Sequence, residues 1–131
     1  MLERMRAYAL IFAFAAASRL IVRLPLGRLE SVVELRRRPT PLTPEEIDLL
    51  AGRVERVLWA TRSLRHNCLT RGVTRYYFLR RAGADVRLVF GIGEIGDRYA
   101  GHCWLLRDGE IYQEASDPAL RFADVIALPS A

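Results

Sequence analysis

The apolar pattern of this chain changes period once, at Gly83, and that single change limits the fold more than any other feature. Before it, apolar residues recur at helical spacing; after it, they alternate as strands do. Thr43-Pro44-Glu45-Glu46 reads as a helix start, with Thr43 as N-cap, Pro44 in the first turn and Glu46 closing a capping box. Ile47, Leu50, Ala51, Val54, Val57, Leu58 and Thr61 follow on one face, which marks a core-facing helix. A further helix is expected from Cys68 to about Ala82, with Leu69, Val73, Tyr76, Tyr77 and Leu79 inward and Gly83 as its stop. The aromatic pair in it reads as core. Val86, Leu88 and Phe90 then alternate with Arg87 and Val89 in a strand, and two strand-like runs flank Asp108-Gly109, a hairpin signal. Together these predict an α+β protein in which N-terminal helices pack on a small antiparallel sheet. At 131 residues the chain is long enough for one domain with a real core, and 51% apolar content excludes disorder.

The first 24 residues start Met-Leu-Glu-Arg-Met-Arg and then run uncharged from Ala7 to Ser18. Such a run is shorter than the ~20 apolar residues a bilayer span needs. A basic start, a short apolar run and Ala15-Ala16-Ala17 imitate a signal peptide. The apolar pattern continues through Leu20, Ile21, Val22 and Leu24, however, and favours an amphipathic helix that packs on the domain or lies along a membrane surface. Pro25 and Gly27 are expected to break it, and Leu29 to Leu35 to form a short second helix leading to Arg36-Arg37-Arg38, a solvated connector. Pro39, Pro41 and Pro44 mark a linker. The organisation expected is therefore an N-terminal helical segment, residues 1–40, and a core, residues 41–131, within one compact domain. Glycines at 91, 93 and 96 predict a flexible loop from Ile92 to Tyr99; they match no phosphate-binding fingerprint.

All 20 basic residues are Arg, and the net charge of +5 lies in the first 66 residues, which carry 12 Arg against 7 acids. A basic half suits an acidic partner or membrane surface. No basic-aromatic ladder, zinc-finger spacing or recognition-helix pattern accompanies it, which argues against nucleic acid. Cys68 and Cys103 cannot make a disulfide framework and suggest a reducing compartment, or at most one bridge. With His66 and His102 they supply four potential metal ligands, but adjacent His102 and Cys103 point to opposite faces of a strand and do not easily share an ion. The expectation is no metal and no cofactor, with zinc as the minor alternative.

Asn67 suits a helix cap, so Cys68 is expected at a helix N-terminus, where unpaired N–H groups and the helix dipole favour negative charge on sulfur. A small apolar residue starting a buried helix is the plain alternative. His102, 34 residues downstream, favours a nucleophile with a base. The hairpin register decides what faces His102. A two-residue turn at Asp108-Gly109 sets Cys103 opposite Glu114; a three-residue loop of Arg107, Asp108 and Gly109 sets His102 opposite Glu114. In the second register Glu114 orients the imidazole and leaves one ring nitrogen to take the proton of Cys68. Asp108 is the competing acid, although a turn Asp usually serves its own backbone. The tail after Ala115, with Asp117-Pro118 and the apolar run Val125 to Leu128, is expected to cover a sheet edge.

A Cys opening a helix, His-x-Trp opening a strand and an acid on the next strand resemble the transglutaminase-like branch of papain-type thiol enzymes. More narrowly, the chain resembles the leader peptidase of bacterial lasso-peptide biosynthesis, the stand-alone protease half of the B-type maturation protein. The resemblance rests on an Arg-punctuated apolar first helix, an acidic-start helix, Cys68-Leu69-Thr70-Arg71, Leu79-Arg80-Arg81-Ala82-Gly83, Leu88-Val89-Phe90-Gly91-Ile92, His102-Cys103-Trp104 and Asp108-Gly109. It implies Cys68 as nucleophile, His102 as general base and acid, and Glu114 as third member. The family usually has Asp at the third position and Ala after the His, where this chain has Glu114 and Cys103. The resemblance further implies a cytoplasmic peptidase, peripheral to the membrane if residues 1–24 bind lipid, that removes the leader of a ribosomally made precursor peptide. A separate leader-binding protein would present that substrate, and a macrolactam cyclase would act next. A non-catalytic scaffold and an acyl or amide transferase of the same thioester chemistry are the alternatives.

Overall fold

The computed structural model describes residues 1–21, 26–61, 68–114, 118 and 122–129. Four helices precede four strands: α1 (Leu2–Ile21), α2 (Leu26–Leu35), α3 (Pro44–Ala60), α4 (Cys68–Arg81), β1 (Val86–Ile95), β2 (Arg98–Arg107), β3 (Glu110–Tyr112) and β4 (Ala123–Leu128). The strands form one antiparallel sheet in the order β3-β2-β1-β4. This is the α+β arrangement that the change of period at Gly83 predicts.

α3 starts as its sequence dictates. Thr43 Oγ1 accepts from the Glu46 backbone N–H at 3.2 Å, and Glu46 Oε1 accepts from the Thr43 N–H at 3.2 Å, so two otherwise orphaned donors are satisfied. Its inward face is Ile47, Ala51, Val54, Val57 and Leu58, all buried. Gly27 does not break the chain as expected: α2 starts at Leu26, and Gly27 sits in its first turn. Pro25 lies outside the described residues. Leu29 and Val33 of α2, together with Ile11 and Ala15 of α1, join the same core as α3, α4 and the sheet. Among the described residues, no helix is long and apolar enough to cross a membrane.

α4 is the central element. It contacts α1, α2 and α3 on one side and β1 and β2 on the other, which buries every residue from Gly72 to Leu79. The one-sided inner face expected from the sequence is therefore too narrow. A helix covered by helices and by a sheet has no solvent face over those turns. Phe14 of α1 stacks on Tyr77 at 4.0 Å between ring centroids, and both meet Phe78 edge-on. The helix stops at Gly83, whose φ of +100° only glycine adopts without strain, with the Gly83 and Ala84 N–H groups bonded back to Arg80 and Leu79. The linker lies against this end. Arg38 N–H donates to the Arg81 carbonyl and Leu42 N–H to the Ala82 carbonyl, each at 2.9 Å, satisfying carbonyls that a helix end leaves without partners.

The segment from Ile92 to Tyr99 is not a flexible loop. β1 runs on to Ile95 and β2 begins at Arg98, paired across a two-residue turn with Gly96 at φ +64°. Glycine at the first turn position is what a tight hairpin prefers, so Gly96 closes the strands rather than loosening them. The apolar tail forms β4, which pairs along β1 and covers the sheet edge as expected, with a bulge between Phe90 and Gly91.

Candidate active site

Cys68 is the first residue of α4, half-buried and not in a disulfide. Its proposed cap, Asn67, lies outside the described residues, as does His66. The position leaves the first backbone N–H groups of α4 without helical acceptors. The thiol opens on a cleft of about 330 Å³ that is also lined by Leu69, Phe90, Gly91, Ile92, Gly101, His102 and Cys103. Apart from His102 and the two thiols, its walls are apolar or glycine. A larger recess of about 480 Å³ lies between α1, α3 and the end of α4 and contains no thiol or imidazole.

His102 reaches this cleft from β2, where it pairs with Gly91 of β1. Its ring is held between aromatic neighbours: Trp104 stacks at 5.8 Å and Phe122, just before β4, lies at 5.2 Å. Strand alternation explains the first neighbour, since residues two apart share a face. Gly91 makes room for that neighbour, because a Cβ there would stand 2.7 Å from the Trp104 ring. Cys103 points the other way, toward α4. Its Sγ would lie 2.5 Å from any Cβ at position 72, so Gly72 is what lets β2 approach the helix. Burial pushes the Cys103 thiol far above its ordinary range, with the nearby Cys68 adding to the effect.

The hairpin takes the two-residue turn. Arg107 pairs with Glu110, Leu106 with Ile111 and Leu105 with Tyr112, and Asp108 and Gly109 both have positive φ, at 52° and 81°. The three-residue loop that would have set His102 opposite Glu114 does not form, because Asp-Gly accepts left-handed conformations at both positions. Glu114 nevertheless meets His102. β3 ends at Tyr112, Gln113 takes a left-handed conformation at φ 55°, and the chain turns so that Glu114 Oε2 lies 3.5 Å from His102 Nε2. Both side chains are largely covered, 26% and 13% exposed respectively, which strengthens their interaction relative to a surface pair. The contact leaves His102 Nδ1 as the other ring nitrogen.

Asp108 is out of reach. It stands at the exposed turn, six residues along β2 from His102 and so roughly 20 Å away, and its N–H donates to the Asp85 carbonyl at 2.9 Å. Among the described residues, no three of His, Cys, Asp and Glu are grouped as metal ligands. The structure thus brings His102 and Glu114 together and places Cys68 on the same cleft as the imidazole. Sequence reasoning missed Phe122, for which the tail carries no signal. It also missed Arg75, although a charge followed directly by the apolar run Tyr76-Tyr77-Phe78-Leu79 in a core helix is itself a signal.

No curated protein and no solved structure matches the chain. The family model described as the transglutaminase-like superfamily matches residues 10–127, from the middle of α1 to the end of β4. This fold commonly serves cysteine peptidases and acyltransferases. With helices on one antiparallel sheet, a thiol at the start of the central helix and a His-acid pair at the sheet, the chain belongs to the transglutaminase-like superfamily.

Proposed function

We propose that the protein is a cysteine peptidase that removes the leader from a ribosomally made lasso-peptide precursor, presented by a separate leader-binding protein. The observation that carries the reading is the 3.5 Å approach of Glu114 to His102 Nε2 beside the cleft on which Cys68 opens. In this mechanism Glu114 holds the ring so that Nδ1 takes the proton of Cys68, and it stabilises the imidazolium that results. The thiolate attacks the scissile carbonyl to give a thioester, and the protonated His102 donates to the departing amine. Water, activated by the same ring, then hydrolyses the thioester. Backbone N–H groups at the start of α4, that of Cys68 included, would serve as donors to the oxyanion. Leu69, Phe90 and Ile92 suit an apolar substrate side chain beside the scissile bond. Presentation by a partner supplies proximity, which in ideal intramolecular cases is worth on the order of 7 to 11 kcal/mol.

The test is mass spectrometry of the precursor peptide incubated with this protein and its leader-binding partner, beside Cys68→Ala and Glu114→Ala. Leader loss should vanish with Cys68→Ala and fall by about 10²-fold or more with Glu114→Ala, as loss of an orienting acid does. Equal product from wild type and Cys68→Ala sinks the thiol mechanism and leaves a scaffold. A product carrying an amine in place of water identifies a transferase.

A further inference from the structure

We infer that Arg75 is a positioning residue: anchored by Glu55 of α3, it holds Gln113 and thereby sets the carboxylate of Glu114 against His102. The inference rests on the Cys68–His102–Glu114 reading above and adds to it the device that fixes its third member.

Arg75 is the one charged side chain in the buried core among the described residues, at 1% exposure. A buried guanidinium is costly unless it is paired and hydrogen-bonded, so its partners define its place. Its Nη1 donates to Gln113 Oε1 at 3.3 Å, and its Nε faces Glu55 Oε1 at 3.7 Å. The same Glu55 oxygen lies 3.4 Å from Arg71 Nε, and Arg71 Nη2 donates to the Gln113 carbonyl at 3.4 Å. Two arginines one turn apart on α4 therefore grip Gln113 by its side chain and by its backbone.

Gln113 is the residue whose positive φ turns the chain out of β3, and the strand ladder ends just before it. Glu114 follows with one oxygen toward His102 and the other, Oε1, buried without a hydrogen-bond partner among the described residues. Among the described residues no strand pairs with Gln113 or Glu114, and the contacts that hold the segment beside the carboxylate are those of Arg75 and Arg71 with Gln113. The charged and titratable groups facing Arg75 are Glu55 from α3, Arg71 from α4, Cys103 from β2 and Glu114 itself. Burial draws the guanidinium below its ordinary value and Arg71 adds to this, while Glu55, Glu114 and Cys103 oppose it.

The test needs neither substrate nor partner. Alkylation of Cys68 in the full chain by iodoacetamide is followed against pH by peptide mass, for wild type, Arg75→Gln, Arg75→Lys, Gln113→Asn and Glu114→Gln, with thermal melts alongside. In wild type, Cys68 should be alkylated faster than a cysteine in an unstructured peptide at the same pH, because His102 and Glu114 support the thiolate. When the grip is lost, Glu114 leaves the imidazole and alkylation slows by about tenfold. Arg75→Gln and Gln113→Asn should show this slowing, Glu114→Gln should match it, and Arg75→Lys should fall between. Variants that melt as wild type and keep its alkylation profile overturn the positioning role while the Cys68 reading stands. A wild type that alkylates only as an ordinary thiol sinks that reading instead. If Arg75→Gln does not fold, Gln113→Asn decides alone: it alters an exposed residue and keeps a side chain that tolerates the left-handed conformation.

Discussion

Gly91→Ala should loosen the sheet at the site, whereas Gly101→Ala, on the neighbouring strand, should not. A methyl at 91 would stand 2.7 and 2.8 Å from two Trp104 ring carbons and 3.0 Å from the Ala123 carbonyl oxygen. The carbonyl belongs to the β1–β4 ladder and cannot move alone, so Trp104 must give way. Trp104 is 3% exposed, and overpacking such a site costs about 1–3 kcal/mol. Replacing a strand glycine with alanine returns about 0.5–1 kcal/mol of backbone entropy. The net expectation is a loss of up to about 2.5 kcal/mol, which for a domain of this size lowers Tm by up to about 10 °C. At 101 the nearest atom, the Gly91 carbonyl oxygen, would be 3.8 Å away, an ordinary contact, so only the entropy gain remains. Thermal unfolding followed by circular dichroism reads both variants. Because His102 stacks on Trp104, Gly91→Ala should also slow alkylation of Cys68. If the two alanine variants melt together, the crowding argument fails, and with it the claim that Gly91 is there for Trp104.

The chain has two thiols, and the structure makes them unequal. A disulfide-exchange titration of the native protein should show one reactive thiol, Cys68, with Cys103 appearing only on denaturation; two native thiols reacting at equal rates would contradict the burial of Cys103. Burial raises the folded-state pKa of Cys103 and carries that of Tyr76 from 10.0 to about 12. The unfolded state ionises first, so the stability these groups contribute is fully present below about pH 8.5, where an unfolded thiol titrates, and is lost as pH rises above it. Urea midpoints should therefore fall from pH 8 to pH 11, with Cys103→Ala removing the earlier part of the fall. A flat midpoint over that range would show both groups to be solvated.

Local signals carried most of the fold. The Thr43 capping box, the Gly83 stop and the Asp108-Gly109 turn each depend on a few neighbouring residues, and each stands where its chemistry puts it. The strands past Ile92 were hidden because three glycines lower strand propensity, although Gly96 was the very residue a tight turn requires. At the site, the register that would set Glu114 opposite His102 does not form, and what joins the two is one left-handed residue beyond the strand. That residue is held in turn by Arg75 and Arg71, and no periodicity reports a contact between a helix interior and a residue about 40 positions later. Phe122 was invisible for the same reason.

The order β3-β2-β1-β4 also has a meaning in time. Synthesis proceeds from the N-terminus, so β1, β2 and β3 can zip as successive hairpins while β4 has yet to be made. During that interval the outer edge of β1, with Val86, Leu88, Val89 and Phe90 along it, stands unpaired. An uncovered edge of this composition is a template for another copy of itself. β4 is thus the closure that keeps the nascent chain to itself. A chain stopped before Phe122 should scatter more light per unit of protein as its concentration rises, and a monodisperse truncated protein would show that the edge is protected by other means.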